Sequence, residues 1–215
     1  WLRGDILGLL CSKALQVDAL AVPVSCNTII ADSKEFKAVS KTCIGSPYVI
    51  AEFSELKKQY RRVAGFEANG GYLLGSDIDV NGKVIKALPT RDAVLPALML
   101  LSIAKKTMIR DLVADLPQRF TYSDRLQGFA TDKSLELLKC GYQNPADLLD
   151  KIGLGNLEVI STDSTDGLRL KLSDDTYVHL RPSGNAPELR CYTEATNVQT
   201  AMTLVDQVLC SIRAM

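Results

Sequence analysis

The sequence predicts an α/β domain with a mainly parallel mixed sheet, followed by an α+β domain in which helices pack on an antiparallel sheet. Three observations carry that prediction. From Asp5 to Leu74, helical and strand-like hydrophobic patterns alternate at short spacing, as they do in layered α/β folds. From Leu157 to Glu194, strand-like runs follow one another with only turn residues between them, the pattern of an antiparallel meander. Between these regions, around Pro117 to Tyr122, the pattern changes, which sets domains of residues 1–117 and 118–215.

Asp5 supplies an N-cap or first-turn acid for a helix that buries Ile6, Leu9, Leu10 and Ala14 and runs to about Leu15. Residues 19–24 form a short apolar strand interrupted by Pro23. Ser25-Cys26-Asn27 then supplies a turn or cap before a short helix over 28–34, and residues 36–40 are the next strand. Ser46-Pro47 predicts a helix start, with the serine oxygen capping free N–H groups and proline at the first helical position; Val49, Phe53, Leu56 and Tyr60 mark one face. Residues 62–68 read as a strand that pairs with 72–74 across Asn69-Gly70-Gly71. Asp77-Ile78-Asp79-Val80-Asn81-Gly82 imitates the start of a calcium loop. Its twelfth position is Leu88 instead of a bidentate Glu, so Asn81-Gly82 is read as a turn. Thr90 is placed as the cap of a long helix with an apolar face of Val94, Ala97, Leu98, Leu101 and Ile103, and a short helix over 109–116 ends at Pro117.

In the second domain residues 119–126 read as a strand, and 134–140 and 145–152 as short helices. The meander runs through 157–161, 168–172, 177–181 and 189–194. Asn197 caps a final helix with Val198, Ala201, Met202, Val205, Val208, Leu209 and Ile212 at helical spacing, suited to one face of that sheet. Asp124-Arg125 is expected to be a local ion pair or a domain-interface contact.

Composition narrows the function classes. Lys plus Arg and Asp plus Glu balance at 25 each, so no overall field draws the chain to nucleic acid or an anionic membrane, and neither is expected as a partner. Six cysteines are scattered without a CxxC or a Cys/His cluster at metal-ligand spacing, which predicts reduced, mostly buried thiols. The opening Trp1-Leu2-Arg3-Gly4-Asp5 places a carboxylate where a signal peptide needs an apolar segment, and no run approaches membrane-spanning length. A cytoplasmic location is therefore expected, and a first residue of Trp suggests a processed chain or an excised fragment.

Two constellations carry chemistry. Arg181-Pro182-Ser183-Gly184-Asn185-Ala186-Pro187-Glu188-Leu189-Arg190 concentrates anion-recognising groups: the planar guanidinium of Arg181, the Ser183 hydroxyl, the Asn185 amide, and Gly184 for a turn that aims backbone N–H groups at one point. It reads as a phosphate clasp, although the same residue types make ordinary turns between strands. Gly65-Phe66-Glu67-Ala68-Asn69-Gly70-Gly71 sets a carboxylate and an amide two residues apart, able to bind neighbouring sugar hydroxyls; a plain hairpin turn with an exposed Glu is the other reading. His179, the single histidine, stands two residues before Arg181 and reads as a half-buried strand residue, and Ser25 and Ser46 read as caps. Neither a Walker-type loop, nor a dinucleotide fingerprint, nor a triple of carboxylates for a divalent metal is present. The loops bind but supply no nucleophile.

The clasp resembles the RPSGTEP phosphate-binding loop of the α-D-phosphohexomutases, and Glu67-Ala68-Asn69-Gly70-Gly71 resembles their ExSGG/ExSGH sugar loop, in the family's order and at about its spacing. The segment from Trp1 to Leu10 looks like the start of the family's third domain, and both loops are closest to bacterial phosphomannomutase/phosphoglucomutase members. The resemblance implies domains three (residues 1–117) and four (118–215) of a four-domain enzyme. Such an enzyme interconverts hexose 1-phosphate and hexose 6-phosphate through a phosphoserine, Mg²⁺ and a bisphosphorylated intermediate, with hexose 1,6-bisphosphate as activator. It further implies Glu67, Asn69 and Gly70 as sugar-binding, and Arg181, Ser183, Gly184 and Asn185 as phosphate-binding. Asn69 stands for a serine, Asn185 for a threonine and Ala186 for a glutamate. Ser46 falls where some members carry histidine or aspartate. The phosphoserine and Mg²⁺ loops belong to the N-terminal domains of the same polypeptide, so this chain is expected to hold no catalytic or metal residue and to be inactive alone. A self-standing phosphosugar-binding module without turnover is the alternative.

Overall fold

A computed structural model describes residues 2–215; Trp1, where the family-like opening segment starts, lies outside the described residues. The chain divides into two compact units, the first ending at Pro117 and the second beginning at Gln118.

Unit 1 runs α1 (Gly4–Ala14), β1 (Ala19–Pro23), α2 (Thr28–Ala31), β2 (Ala38–Thr42), α3 (Ser46–Leu56), β3 (Val63–Phe66), β4 (Tyr72–Leu74), β5 (Ile78–Val80), β6 (Lys83–Ile85), β7 (Leu88–Asp92), α4 (Val94–Ile103) and α5 (Ile109–Ala114). Its main sheet has the order β2-β1-β3-β4-β7. The first three strands are parallel, and β4 and β7 extend the sheet antiparallel, so the predicted mixed α/β sheet is present. β1 is buried along its whole length, as its unbroken apolar run requires for a strand covered on both faces. Leu20, Val22, Ala64 and Phe66 meet α1 residues such as Leu9 and Leu10 on one face. Ala19, Ala21, Val63 and Leu73 meet Val49, Phe53 and Leu56 of α3 on the other.

Three local expectations are corrected. The cap position of α3 is Gly45, which has no side chain to bond free amides, and Ser46 is instead the first helical residue. Thr90 lies in strand β7, and α4 is capped by Asp92, whose Oδ1 accepts from the Val94 and Leu95 amides at 2.7 and 3.2 Å. The face expected to be buried in α4 is largely exposed: Val94, Leu98 and Leu101 face solvent, while Pro96 and Leu100 are buried. The segment is apolar almost all round, so no period selects a face; packing against α1 selects it. Asn81 and Gly82 both adopt positive φ, 53° and 77°, and close a separate β5–β6 hairpin, as a two-residue Asn-Gly turn should.

Unit 2 runs β8 (Phe120–Gln127), α6 (Thr131–Gln143), α7 (Pro145–Lys151), β9 (Val159–Asp163), β10 (Leu168–Leu172), β11 (Tyr177–Pro182), β12 (Glu188–Ala195) and α8 (Val198–Arg213). All five strands are antiparallel, in the order β8-β12-β11-β10-β9, which is the predicted meander with β8 added beside β12. The period-two alternation puts Leu126, Leu170, Val178, Leu180, Leu189 and Cys191 into one core with the helices, among them Val205 and Ile212 of α8. Asn197 caps α8 by accepting from the Thr200 amide at 2.8 Å.

Residues of the opposite parity form the polar face of this sheet. There Arg125 pairs across strands with Glu188 at 3.3 Å, while Asp124 accepts only from the Arg125 backbone amide, so the expected Asp124-Arg125 side-chain pair is not made. Glu194 is buried between Arg119 (2.9 Å) and Arg169 (3.7 Å), and Arg169 lies over the Tyr177 ring. All six cysteines are free thiols: Cys11, Cys26 and Cys191 are buried, Cys43 and Cys140 half-buried, and Cys210 exposed. Burial pushes the Cys11 thiol up to about 12, out of reach of thiolate chemistry near neutral pH. No helix among the described residues is long and apolar enough to cross a membrane.

Candidate functional site

The first loop is the connection between β3 and β4. Phe66 pairs with Tyr72, so residues 67–71 close the hairpin. The Glu67 amide donates to the Gly71 carbonyl and the Gly70 amide to the Glu67 carbonyl, both at 3.0 Å. Asn69 Oδ1 accepts from the Gly71 amide at 2.9 Å, which leaves its exposed amide group turned outward. Glu67, Asn69 and Gly70 therefore share one small rigid turn.

Glu67 is not the exposed side chain of a plain hairpin; it is 7% accessible. Its Oε2 accepts from Ser46 Oγ at 2.7 Å, at the first turn of α3, where free amides favour a carboxylate. That contact is the work of Ser46, in place of the expected cap. On the other side, α1 touches the loop backbone: a Cβ on Gly4 would stand 2.1 Å from the Gly70 nitrogen. The Arg91 stem runs past Gly71, where an added Cβ would lie 2.9 Å from its Cγ and Cδ. Sequence reading passed over Arg91 because it sits in an unforeseen strand, β7.

The second loop joins β11 to β12, from the Pro182–Leu189 pair onward. The Ser183 amide donates to the Glu188 carbonyl and the Glu188 amide to the Ala186 carbonyl, each at 2.8 Å, so the turn is closed by its own backbone. Ser183 is buried, and its Oγ accepts from the Asn185 amide at 3.4 Å; Gly184 and Asn185 are exposed at the tip. Gly184 is not in the left-handed region, and a Cβ there would meet nothing within 4 Å. The turn itself thus makes no demand for glycine at 184, contrary to the conformational role expected of it.

Arg181 lies at the end of β11, half-buried. Its Nε donates to Asp166 Oδ2 at 2.7 Å, and the two Nη groups have no partner among the described residues. Asp166 was invisible to sequence reading, because Thr165-Asp166-Gly167 looks like any turn until the strand register brings it beside Arg181.

His179 is buried, not half-buried as expected, at 2% exposure, and stacks on Tyr192 with centroids 5.2 Å apart. Its Nε2 donates to the Asp166 carbonyl, while Nδ1 has no partner among the described residues. Burial pushes this imidazole down from 6.5 to about 4; the nearby Arg169 and Arg181 charges add to the shift and the Asp166 carbonyl opposes it. Between those values an unfolded chain binds a proton that the folded one does not. The contribution is complete above about pH 6.5 and is lost as the pH falls toward 4, by up to roughly 3 kcal/mol. Denaturant titrations should show the wild type losing stability over that window relative to His179→Gln, and NMR should follow the single imidazole to a midpoint well below 6.

Among the described residues no group of three or more His, Cys, Asp or Glu side chains could hold a metal ion. A groove of about 630 Å³ near Leu126, Leu137 and Ile212 includes none of the loop residues.

Residues 3–120 match the family description "Phosphoglucomutase/phosphomannomutase, alpha/beta/alpha domain III", and residues 137–210 match "Phosphoglucomutase/phosphomannomutase, C-terminal domain". A phosphomannomutase of Salmonella muenchen is 52% identical over 214 residues, which cover 100% of this chain and 45% of that protein. A phosphoglucomutase/phosphomannomutase family protein of Burkholderia thailandensis has a solved structure that superposes with a TM-score of 0.65 at 17% identity, over 99% of this chain and 42% of that one. The N-acetylphosphoglucosamine mutase of Aspergillus fumigatus, solved in complex with GlcNAc-6P and magnesium, gives a TM-score of 0.63 at 15% identity, over 98% of this chain and 47% of that one. The chain thus spans less than half the length of each of these relatives.

Proposed function

Because the chain belongs to the phosphoglucomutase/phosphomannomutase family, we propose that it is the third and fourth domains of a phosphomannomutase-type phosphohexomutase. The whole enzyme would interconvert hexose 1-phosphate and hexose 6-phosphate through a phosphoserine and a hexose 1,6-bisphosphate, which also serves as activator. In this reading Glu67, Asn69 and Gly70 bind sugar hydroxyls, and Arg181, Ser183, Gly184 and Asn185 bind the phosphate that is not being transferred. The nucleophile, and the Mg²⁺ that would offset charge on the transferring group, belong to the N-terminal domains. The residues of this chain do not fit a metal, and none of their roles runs through one.

The observation that carries the reading is the state of Arg181: its Nε is committed to Asp166 and its Nη pair is free, beside a backbone-closed turn with Ser183 and Asn185. A guanidinium held in this way offers two parallel donors to a phosphate, the geometry in which Arg differs most from Lys. Glu67, held by Ser46, presents a fixed acceptor to hydroxyls, and the outward Asn69 amide adds donors. Phosphoryl transfer depends mainly on positioning and charge stabilisation, and these groups supply positioning.

Gly184 supplies a test. Its open surroundings demand no glycine, whereas a phosphate pressed against the backbone would. Gly184→Ala should leave thermal stability within about 0.5 kcal/mol of wild type. It should also weaken mannose 1-phosphate binding by about tenfold, a loss of about 1.4 kcal/mol, measured by calorimetry on this chain. The chain alone should bind without interconverting the sugar phosphates, and the full-length protein should interconvert them. Turnover by the chain alone, or wild-type binding by Gly184→Ala, would count against the reading; a full-length protein that binds without turnover would favour the self-standing module.

A further inference from the structure

We infer that Asp166 is the positioning residue for the Arg181 guanidinium, holding it by Nε so that its Nη pair is presented to an anion. The inference rests on the phosphate-binding reading of the clasp and goes beyond it by adding a residue from a different strand connection.

Arg181 cannot be placed by its own strand neighbours. In the antiparallel register Arg181 stands directly opposite Arg190, and Arg190 directly opposite Arg125, so three arginines line up across β11, β12 and β8 on one face. Like charges at directly opposed positions repel and drive the side chains apart. Glu188 serves the far end of the row, 3.3 Å from Arg125 and 3.6 Å from Arg190. Arg181 is served by Asp166 alone, at 2.7 Å. Without that carboxylate, repulsion from Arg190 and the free rotation of a long side chain would scatter the guanidinium.

Asp166 is itself held in place. Its main-chain carbonyl accepts from buried His179, and the next carbonyl, that of Gly167, accepts from Tyr142 of α6 at 2.9 Å. Gly167, at φ 79°, presses so closely on β11 that a Cβ would stand 2.4 Å from the Leu180 oxygen. The residue after Asp166 is thus a glycine for a steric reason, and the turn cannot slide along the strand.

Geometry also separates this pair from an ion pair that would compete with the ligand. A carboxylate across the two Nη groups would occupy the fork a phosphate needs. Asp166 takes Nε only, and no other bond to Arg181 exists among the described residues.

The test is a double-mutant cycle on mannose 1-phosphate binding by this chain, with Asp166→Ala, Arg181→Ala and the double variant, alongside Asp166→Asn. Asp166→Ala should weaken binding by about tenfold alone and by no more than about twofold in the Arg181→Ala background. Asp166→Asn keeps an oxygen that accepts from Nε and should return affinity to within about threefold of wild type. In the ¹⁵N spectrum, the Arg181 Nε–H resonance should be protected in wild type and Asp166→Asn and lost in Asp166→Ala, with thermal melts establishing that each variant is folded. If Arg181→Ala binds like wild type, the phosphate reading itself fails. If Arg181→Ala binds weakly but Asp166→Ala binds like wild type, or the two losses add in full, the positioning role is overturned.

Discussion

Arg181→Ala is expected to lower kcat/KM of the full-length protein on mannose 1-phosphate by about two to three orders of magnitude. Two charge-assisted hydrogen bonds from the Nη pair are each worth roughly 1.5–3 kcal/mol, and about 1.4 kcal/mol is a factor of ten. Removing the guanidinium takes both donors at once and leaves the Asp166 carboxylate, paired to Nε at 2.7 Å, facing the anion uncompensated. Arg181→Lys should recover only part of the loss, because an ammonium is a point charge without the planar fork. Steady-state kinetics of the two variants, compared with a folded-state check by circular dichroism, measure this directly. Wild-type kinetics in Arg181→Ala would remove the residue from the phosphate site.

The second large effect is expected from Gly4→Ala, a substitution remote in sequence from either loop. A Cβ there would lie 2.1 Å from the Gly70 nitrogen, 2.5 Å from its Cα and 2.6 Å from the Ala68 oxygen, all backbone atoms that cannot rotate away. Nor can α1 retreat freely. Asp5, fully buried in its first turn, accepts from the Asn27 amide at 3.1 Å and ties the helix start to α2. The loop must therefore be pushed out of shape. Overpacking of this kind costs about 3 kcal/mol, which for a unit of this size is a fall in Tm on the order of 10 °C. Because Glu67, Asn69 and Gly70 belong to the displaced turn, binding of the sugar should weaken further than stability alone explains, while binding of inorganic phosphate should be unchanged. Calorimetry with mannose 1-phosphate and with inorganic phosphate separates the two. A variant with the wild-type Tm would show that α1 does not brace the loop.

Much of the fold was legible because its signals are local. The Asn81-Gly82 turn, the Asn197 cap and the alternation in β10 and β11 each follow from a few adjacent residues. The failures share a cause as well. Thr90 was taken for a cap because β7 has no alternating pattern of its own; it is a strand only because β4 offers it a partner. The exposed face of α4 could not be chosen within a segment that is apolar on every side. Ser46 has the composition of a cap and the geometry of a carboxylate donor, and only the approach of Glu67 from β3, 21 residues on, distinguishes them.

The sequence by itself determined the two fold classes and the two loops, because hydrophobic period, turn residues and short anion-binding or hydroxyl-binding motifs are properties of contiguous stretches. Tertiary structure alone decided which groups hold those loops: Ser46 on Glu67, α1 against Gly70, and Asp166 on Arg181. Each of these pairs is separated by 15 or more residues and meets through strand register or helix packing. A contact of that kind is fixed by where whole elements come to rest, and no local pattern of residues records it.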